Sequence, residues 1–146
     1  MLAAFAAEGY RQLAASVQEE IARSECESAA DQLAAVGRGY VRFATAQPEY
    51  FEVMFRPDAL DSQVVELIEA ADAAYRLLVD TMARCEAEGC LAGRDPVVVG
   101  VAAWSLVHGL ASLWLSGRLG ERIPVSDPME LAAAVSDLFV SAVLRA

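Results

Sequence analysis

From Pro96 to Gly117 the chain reads PVVVGVAAWSLVHGLASLWLSG without one charged side chain, and Arg94 and Arg118 flank it. A helix of that length is long enough to cross a lipid bilayer, and a helix apolar all round otherwise needs neighbours on every side. The stretch therefore demands either lipid or partner helices. Three serines, a histidine and several glycines interrupt it, and its flanks lack the clustered basic residues that orient a span. The segments around it are amphipathic, as in a water-soluble bundle. The expectation is a helix packed among other helices, with no membrane involved.

Helical periodicity runs through the rest of the chain, and no segment alternates as a strand would. A first helix is expected over Met1 to Arg23, with Leu2, Ala6, Gly9, Leu13, Val17 and Ile21 on its buried face and Glu19, Glu20 and Arg23 pointing elsewhere. Ser24 to Glu27 reads as a loop. Ser28 caps a second helix, with Asp31 in its first turn and Leu33, Val36, Tyr40, Phe43 and Ala44 facing inward, while Gly37 and Gly39 weaken it locally. Pro48 opens the short segment PEYFEVMF, and Arg56-Pro57-Asp58 breaks the chain. A long helix from about Asp61 to Glu88 buries Val64, Ile68, Ala71, Tyr75, Leu78, Met82 and Cys85, and ends at Gly89. Its outer face is expected to pair Asp72 with Arg76 and Asp80 with Arg84. Asp95-Pro96 and Asp127-Pro128 are cap-and-proline starts for the last two helices, and Gly117 stops the first of them. The expected architecture is all-α, about six helices in one domain over residues 1–146.

Composition narrows the function classes. Apolar residues make up 56% of the 146-residue chain, so it is not disordered. The net charge is -10 and every basic residue is an arginine, scattered rather than clustered. Such a surface repels phosphate, so nucleic-acid binding by these residues alone is not expected. Cys26, Cys85 and Cys90 are odd in number and include no Cys-x-x-Cys, which fits a reducing cytoplasm and neither a disulfide framework nor zinc. No metal or cofactor is expected. Cys85 and Cys90 straddle a helix end, but nothing nearby lowers a thiol pKa, and Glu86 and Glu88 raise it.

Within the uncharged stretch, Ser105, Gly109, Ser112 and Ser116 form a stripe of small residues that lets another helix approach closely. The final helix is apolar over more than half its circumference and presents Leu131, Val135, Leu138, Phe139 and Ala142 on one face. Two such helices exceed what a monomer of this size covers. A homodimer joined by a four-helix interface about a two-fold axis is the expected assembly.

Large residues from four helices, Tyr40, Phe43, Phe51, Met54, Phe55, Tyr75, Leu78, Met82 and Trp104, stand among neighbours that are mostly alanine. Rings among small residues either fill a core or enclose a cavity, and methionine adapts to varied shapes. The expectation is an apolar pocket with few polar groups: Tyr40, Tyr75 and the single histidine, His108. His108 has no Glu or His three or four residues away, so it lacks the spacing of a helical metal site. It remains open as a hydrogen-bonded core histidine, a contact to a bound molecule, or the base of a small helical enzyme using the same pocket.

Three stretches resemble one family. YVRFATAQPEYFEVMF, Tyr40 to Phe55, is similar to a helix junction in the C-terminal domain of tetracycline-repressor-like (TetR/AcrR) regulators. AAWSLVHGLASLWLSG resembles the Trp-His-Gly signature of one subgroup, here Trp104, His108 and Gly109, and LAAFAAEGYRQL resembles the helix that follows the DNA-binding head. The resemblance implies a bacterial transcriptional regulator whose C-terminal domain binds a small, largely apolar effector, dimerises through its last two helices and is not an enzyme. It also implies that DNA is reached only through an N-terminal helix-turn-helix, for which this sequence contains no counterpart. A chain without that head is expected to pair with itself or with a full-length relative.

Overall fold

The computed structural model describes residues 2–56 and 64–145. Among them are six helices and no strand: α1 (Leu2–Arg23), α2 (Ala29–Ala46), α3 (Pro48–Met54), α4 (Val65–Ala87), α5 (Pro96–Leu115) and α6 (Pro128–Val143). The starts follow the local chemistry. Ser28 and Asp31 form a reciprocal capping box, each side chain accepting from the other's backbone N–H at 3.1 Å. Asp95 accepts from Val97 N at 2.8 Å and Asp127 from Met129 N at 2.9 Å, with Pro96 and Pro128 in the first turn. Gly89 and Gly117 stop α4 and α5 in the left-handed region, φ 74° and 75°, where a Cβ would be strained. The expected α4 start at Asp61 and most of the Arg56-Pro57-Asp58 break lie outside the described residues.

α2 lies at the centre and packs against every other helix. It can do so because its contact faces are small. At Gly39 an added Cβ would lie 2.7 Å from Val17 Cα and 3.1 Å from the Ser16 carbonyl oxygen, so α1 and α2 meet backbone to backbone. Ser16 Oγ donates to the Gly39 carbonyl at 2.8 Å across that contact. The glycines expected to weaken α2 are thus what lets its neighbours approach.

One expectation for α1 is corrected beside this crossing. Glu20 does not point away from the bundle; it is 6% exposed. Arg38 Nε and Arg42 Nε, one turn apart on α2, each reach a different Glu20 carboxylate oxygen at 3.2 Å, and Arg23 approaches at 3.8 Å. Because the helices are so close, a carboxylate at this position is enclosed, and the two arginines supply the charge that makes its burial tolerable.

The buried stripe of α4 also differs from the expected one. Leu67 and Ala70 are buried, with Leu78, Thr81, Met82 and Cys85 further along, whereas Ile68 and Tyr75 are 41% and 45% exposed. The first half of α4 packs with α1, and the second half packs with the starts of α2 and α5 and the end of α6. The buried face shifts as the helix passes from one neighbour to the next, which a single periodic stripe does not capture.

The expected Asp72–Arg76 and Asp80–Arg84 pairs are absent among the described residues. Arg84 instead bonds Glu88 at 2.8 Å, Gln32 at 2.9 Å and the Glu27 carbonyl at 3.0 Å. Gln32 donates to Thr81 Oγ1 at 2.8 Å, and Glu88 accepts from Ala29 N at 2.8 Å. The open N–H groups at the start of α2 and the long reach of arginine make this inter-helix network a better use of Arg84 than a surface pair. The Ala29 N–H, with Arg84, holds the Glu88 carboxyl below its usual range. Nearby, Cys85 and Cys90 are buried free thiols, and Cys90 Sγ donates to the Cys85 carbonyl at 3.3 Å. Burial, followed by the contact with Cys90, pushes the Cys85 thiol up to about 12.

The α1–α2 crossing yields a stability prediction. Gly39→Ala is expected to lower stability by about 1–3 kcal/mol, because overpacking against backbone outweighs alanine's helix preference of roughly 1 kcal/mol. Glu20→Gln is expected to cost roughly 1–3 kcal/mol, less than for a fully buried pair because Arg42 keeps partial contact with water. Urea unfolding of both variants checks these values, and wild-type midpoints would sink the account of the crossing.

Candidate functional site

A cavity of about 300 Å³ lies between the helices. Tyr10, Leu13 and Val17 of α1 form part of its wall, with Leu33, Val36, Gly37 and Tyr40 of α2 and Phe55 just after α3. α4 adds Asp72, Tyr75 and Leu78; α5 adds Trp104, Leu106 and Val107; and α6 adds Ser136, Phe139 and Val140. Most of this surface is carbon, and no basic side chain takes part. Asp72, Tyr75, Trp104 and Leu106 are the exposed members, so they mark the rim. Gly37, Tyr40, Val107 and Ser136 are buried and form the deep end. At the rim the Tyr75 and Trp104 rings lie tilted by 47° against each other, centroids 5.8 Å apart, between α4 and α5.

Tyr40 anchors the best-defined polar contact. Its hydroxyl lies 2.6 Å from His108 Nδ1 and accepts the Trp104 indole N–H at 3.4 Å. The direction of the Tyr40–His108 bond follows from the imidazole tautomer: with the ring proton on Nε2, the phenol donates to Nδ1. Phe51 and Phe55 enclose the imidazole, with ring centroids 5.2 and 4.6 Å away. Desolvation by burial lowers the His108 pKa below its usual 6.5 and pushes the Tyr40 hydroxyl well above its ordinary value. His108 is therefore a neutral, hydrogen-bonded ring that holds Tyr40 in the cavity wall.

Of the residues expected to line a pocket, the structure brings Tyr40, Phe55, Tyr75, Leu78 and Trp104 to the cavity. Phe51 and His108 stand behind Tyr40 and Phe55. Phe43 and Met54 are buried in the core shared by α1, α2 and α3, and Met82 sits in the cluster at the other end of α4. Phe139, expected on a dimer face, lines the cavity together with Ser136. From the sequence neither Ser136 nor Tyr10 is singled out, and Asp72 is placed only in a surface pair with Arg76. Ser136 had a legible signal, a lone hydroxyl on the Ala132–Ser136–Val140 stripe, but that stripe became the inner face only once α2 was seen packed on it. Among the described residues no group of three or more His, Cys, Asp or Glu side chains is placed to hold a metal ion.

The outer faces of the last two helices are apolar and uncovered. On α5, Ser105, Ser112 and Ser116 are exposed, Gly109 is half-buried, and nothing lies within 4 Å of a Cβ built on Gly109. On α6, Leu138 is 69% exposed and Ala142 is exposed, while Leu131 and Val135 are half-buried against the core. By length and composition α5 is apolar enough to cross a membrane, with mean hydropathy 1.7, yet it packs against α2, α4 and α6.

Over residues 33–139 the sequence matches the profile of the tetracyclin repressor-like C-terminal domain. The chain belongs to that family. The fold agrees. A protein of unknown function from Rhodococcus sp. RHA1 superimposes with a TM-score of 0.84 at 25% identity, covering 99% of this chain and 73% of its own. PfmR, a TetR family transcriptional regulator from Thermus thermophilus, gives a TM-score of 0.74 at 17% identity over 96% of this chain and 73% of its own. A TetR-family regulatory protein from Rhodococcus RHA1 gives 0.68 at 16% identity, over 97% and 72% respectively. No curated protein matches the chain. α5 and α6 contribute both to the cavity wall and to the uncovered outer face.

The lowered His108 pKa sets a pH dependence. The unfolded chain binds the proton first, so the stabilising effect is full above about pH 6.5 and is lost as the pH falls through the lower folded-state pKa. Because His108 is the one histidine in the chain, unfolding midpoints are expected to fall between roughly pH 7 and pH 5.5, with a smaller slope in His108→Gln. Equal slopes in the two proteins would remove the buried-histidine account.

Proposed function

We propose that this chain, taken as a single unit, is the effector-sensing and dimer-forming part of a bacterial tetracycline-repressor-like transcriptional regulator. In this reading it works in the cytoplasm and binds its ligand without transforming it. The observation that carries the proposal is the sharing of helices between the cavity and the uncovered face. Ser136 and Phe139 of α6 line the cavity while Leu138 and Ala142 lie outside, and Trp104 and Val107 of α5 face the cavity while Ser105 and Ser112 lie outside. A molecule in the cavity touches the inner sides of the helices whose outer sides await a partner.

The effector in this reading is small and largely apolar, because the lining is mostly carbon and the volume falls at the low end of ligand pockets, about 300–1,000 Å³. The partner is a second copy of the chain, with Ser105, Gly109, Ser112 and Ser116 of α5 and Leu131, Val135, Leu138 and Ala142 of α6 forming a four-helix contact. Mechanistically the ligand shifts a population. It binds better to one arrangement of α4, α5 and α6, and the pair of subunits follows by the difference in affinity between the two arrangements. DNA contact then belongs to a helix-turn-helix unit that is not among α1–α6. None of α1–α6 concentrates the basic residues that an operator-reading helix uses.

Two measurements test this. Sedimentation equilibrium is expected to give twice the chain mass, and Leu138→Asp with Ser112→Arg is expected to give the single-chain mass with the helical spectrum retained. A neutral aromatic hydrocarbon at about 100 times its Kd is expected to add roughly 2.7 kcal/mol to folding stability, read as a raised Tm. A monomer whose Tm ignores apolar ligands would refute the proposal. Turnover of a hydrophobic ester abolished by His108→Ala would replace it with an enzyme.

A further inference from the structure

The deep end of the cavity holds one polar group with nothing to bond. Ser136 is 4% exposed, its Oγ has no hydrogen-bond partner, and it lines the cavity with Gly37 and Val107. Buried hydroxyls are nearly always satisfied, by protein or by whatever occupies the space beside them. A Cβ at Gly37 would lie 2.6 Å from Ser136 Oγ and 3.2 Å from Val107 Cγ1, so the oxygen occupies room that only glycine leaves open. A glycine inside a helix and an unbonded buried hydroxyl are both unfavourable in the empty protein.

The other polar groups of the lining are engaged or peripheral. Tyr40 serves His108 and Trp104, the Tyr10 hydroxyl points to the Met54 carbonyl at 3.4 Å, and Asp72 and Tyr75 are at the exposed rim. Among the described residues no arginine lines the cavity, so a carboxylate or phosphate entering it would lose its water without gaining a counter-charge there, and Asp72 would repel it on the way in.

Resting on the effector-pocket reading above, we infer that the ligand is a neutral, mostly apolar molecule carrying one hydrogen-bonding oxygen, an alcohol, ketone or ester, which seats on Ser136 Oγ at the deep end.

The test uses three probes with a common phenylbutyl body: butylbenzene, 4-phenyl-1-butanol and 4-phenylbutanoate. Each is titrated by calorimetry into the full chain and into Ser136→Ala and Gly37→Ala. Removing Ser136 is expected to weaken 4-phenyl-1-butanol by about three- to tenfold, the worth of one neutral hydrogen bond, and to leave butylbenzene within about twofold. Ser136→Ala without ligand is expected to unfold at the wild-type temperature or above, since an unsatisfied group is gone, which separates lost contact from lost fold. Gly37→Ala is expected to weaken the alcohol more than the hydrocarbon, because its methyl, 2.6 Å from Ser136 Oγ, forces the hydroxyl out of its position. Equal losses for alcohol and hydrocarbon in Ser136→Ala would overturn the inference while leaving the apolar pocket intact, as would 4-phenylbutanoate binding as tightly as the alcohol. If none of the three binds, the pocket reading falls and takes this inference with it.

Discussion

The backbone contact between α1 and α2 at Val17 and Gly39 governs the arrangement. It brings the two helices together as closely as main chains allow, and α2 then has room to touch all the others. Ser16 bonds across the crossing and Glu20 is enclosed beside it with Arg38 and Arg42. With α1 held on one side of α2, α6 packs along another, and the space between them is not closed. The cavity is the region enclosed by α1, α2, α4, α5 and α6, and at its deep end Gly37 leaves the room that the α6 hydroxyl of Ser136 occupies.

Much of this was legible in the sequence. Ser28-x-x-Asp31, Asp95-Pro96 and Asp127-Pro128 mark helix starts because capping depends on a few adjacent atoms and is nearly independent of the remainder of the fold. That the uncharged stretch forms one helix was legible for a similar reason, but it packs against three others on one side only, and 28% of its most apolar window is buried. Faces were harder. α4 changes neighbours along its length, so Ile68 and Tyr75 continue the sequence stripe but not the core. Glu20 reads as a surface residue by its charge, and only the arginines brought over by α2 reverse that. Phe139 and Leu138 are adjacent in sequence and similar in character, yet one lines the cavity and the other faces out. The choice between them is made by where α2 sits, which no local pattern records.

The candidate site shows the same division. Aromatic size among small residues pointed to a cavity, and Tyr40, Phe55, Tyr75 and Trp104 line it. His108 drew attention as the one histidine, and its geometry gives it a supporting place. It holds the Tyr40 hydroxyl, which also receives the Trp104 indole, so a chain of hydrogen bonds runs between α2 and α5 along the cavity wall. Ser136 attracts no notice in a list of residues because one hydroxyl among alanines is common. It becomes informative only when its surroundings show that nothing satisfies it.

The buried thiols and the imidazole share a property that bears on how information could enter this molecule. Cys85 is fully enclosed with its thiol held near 12, so almost none is thiolate at neutral pH, and His108 is biased toward the uncharged ring. Oxidants react with thiolates, and modest acidification acts through groups poised near neutrality. Burial moves both Cys85 and His108 away from that kind of reactivity. A molecule entering the cavity meets a wall of mostly uncharged groups, so its fit rests on shape and single hydrogen bonds rather than on ionic contacts.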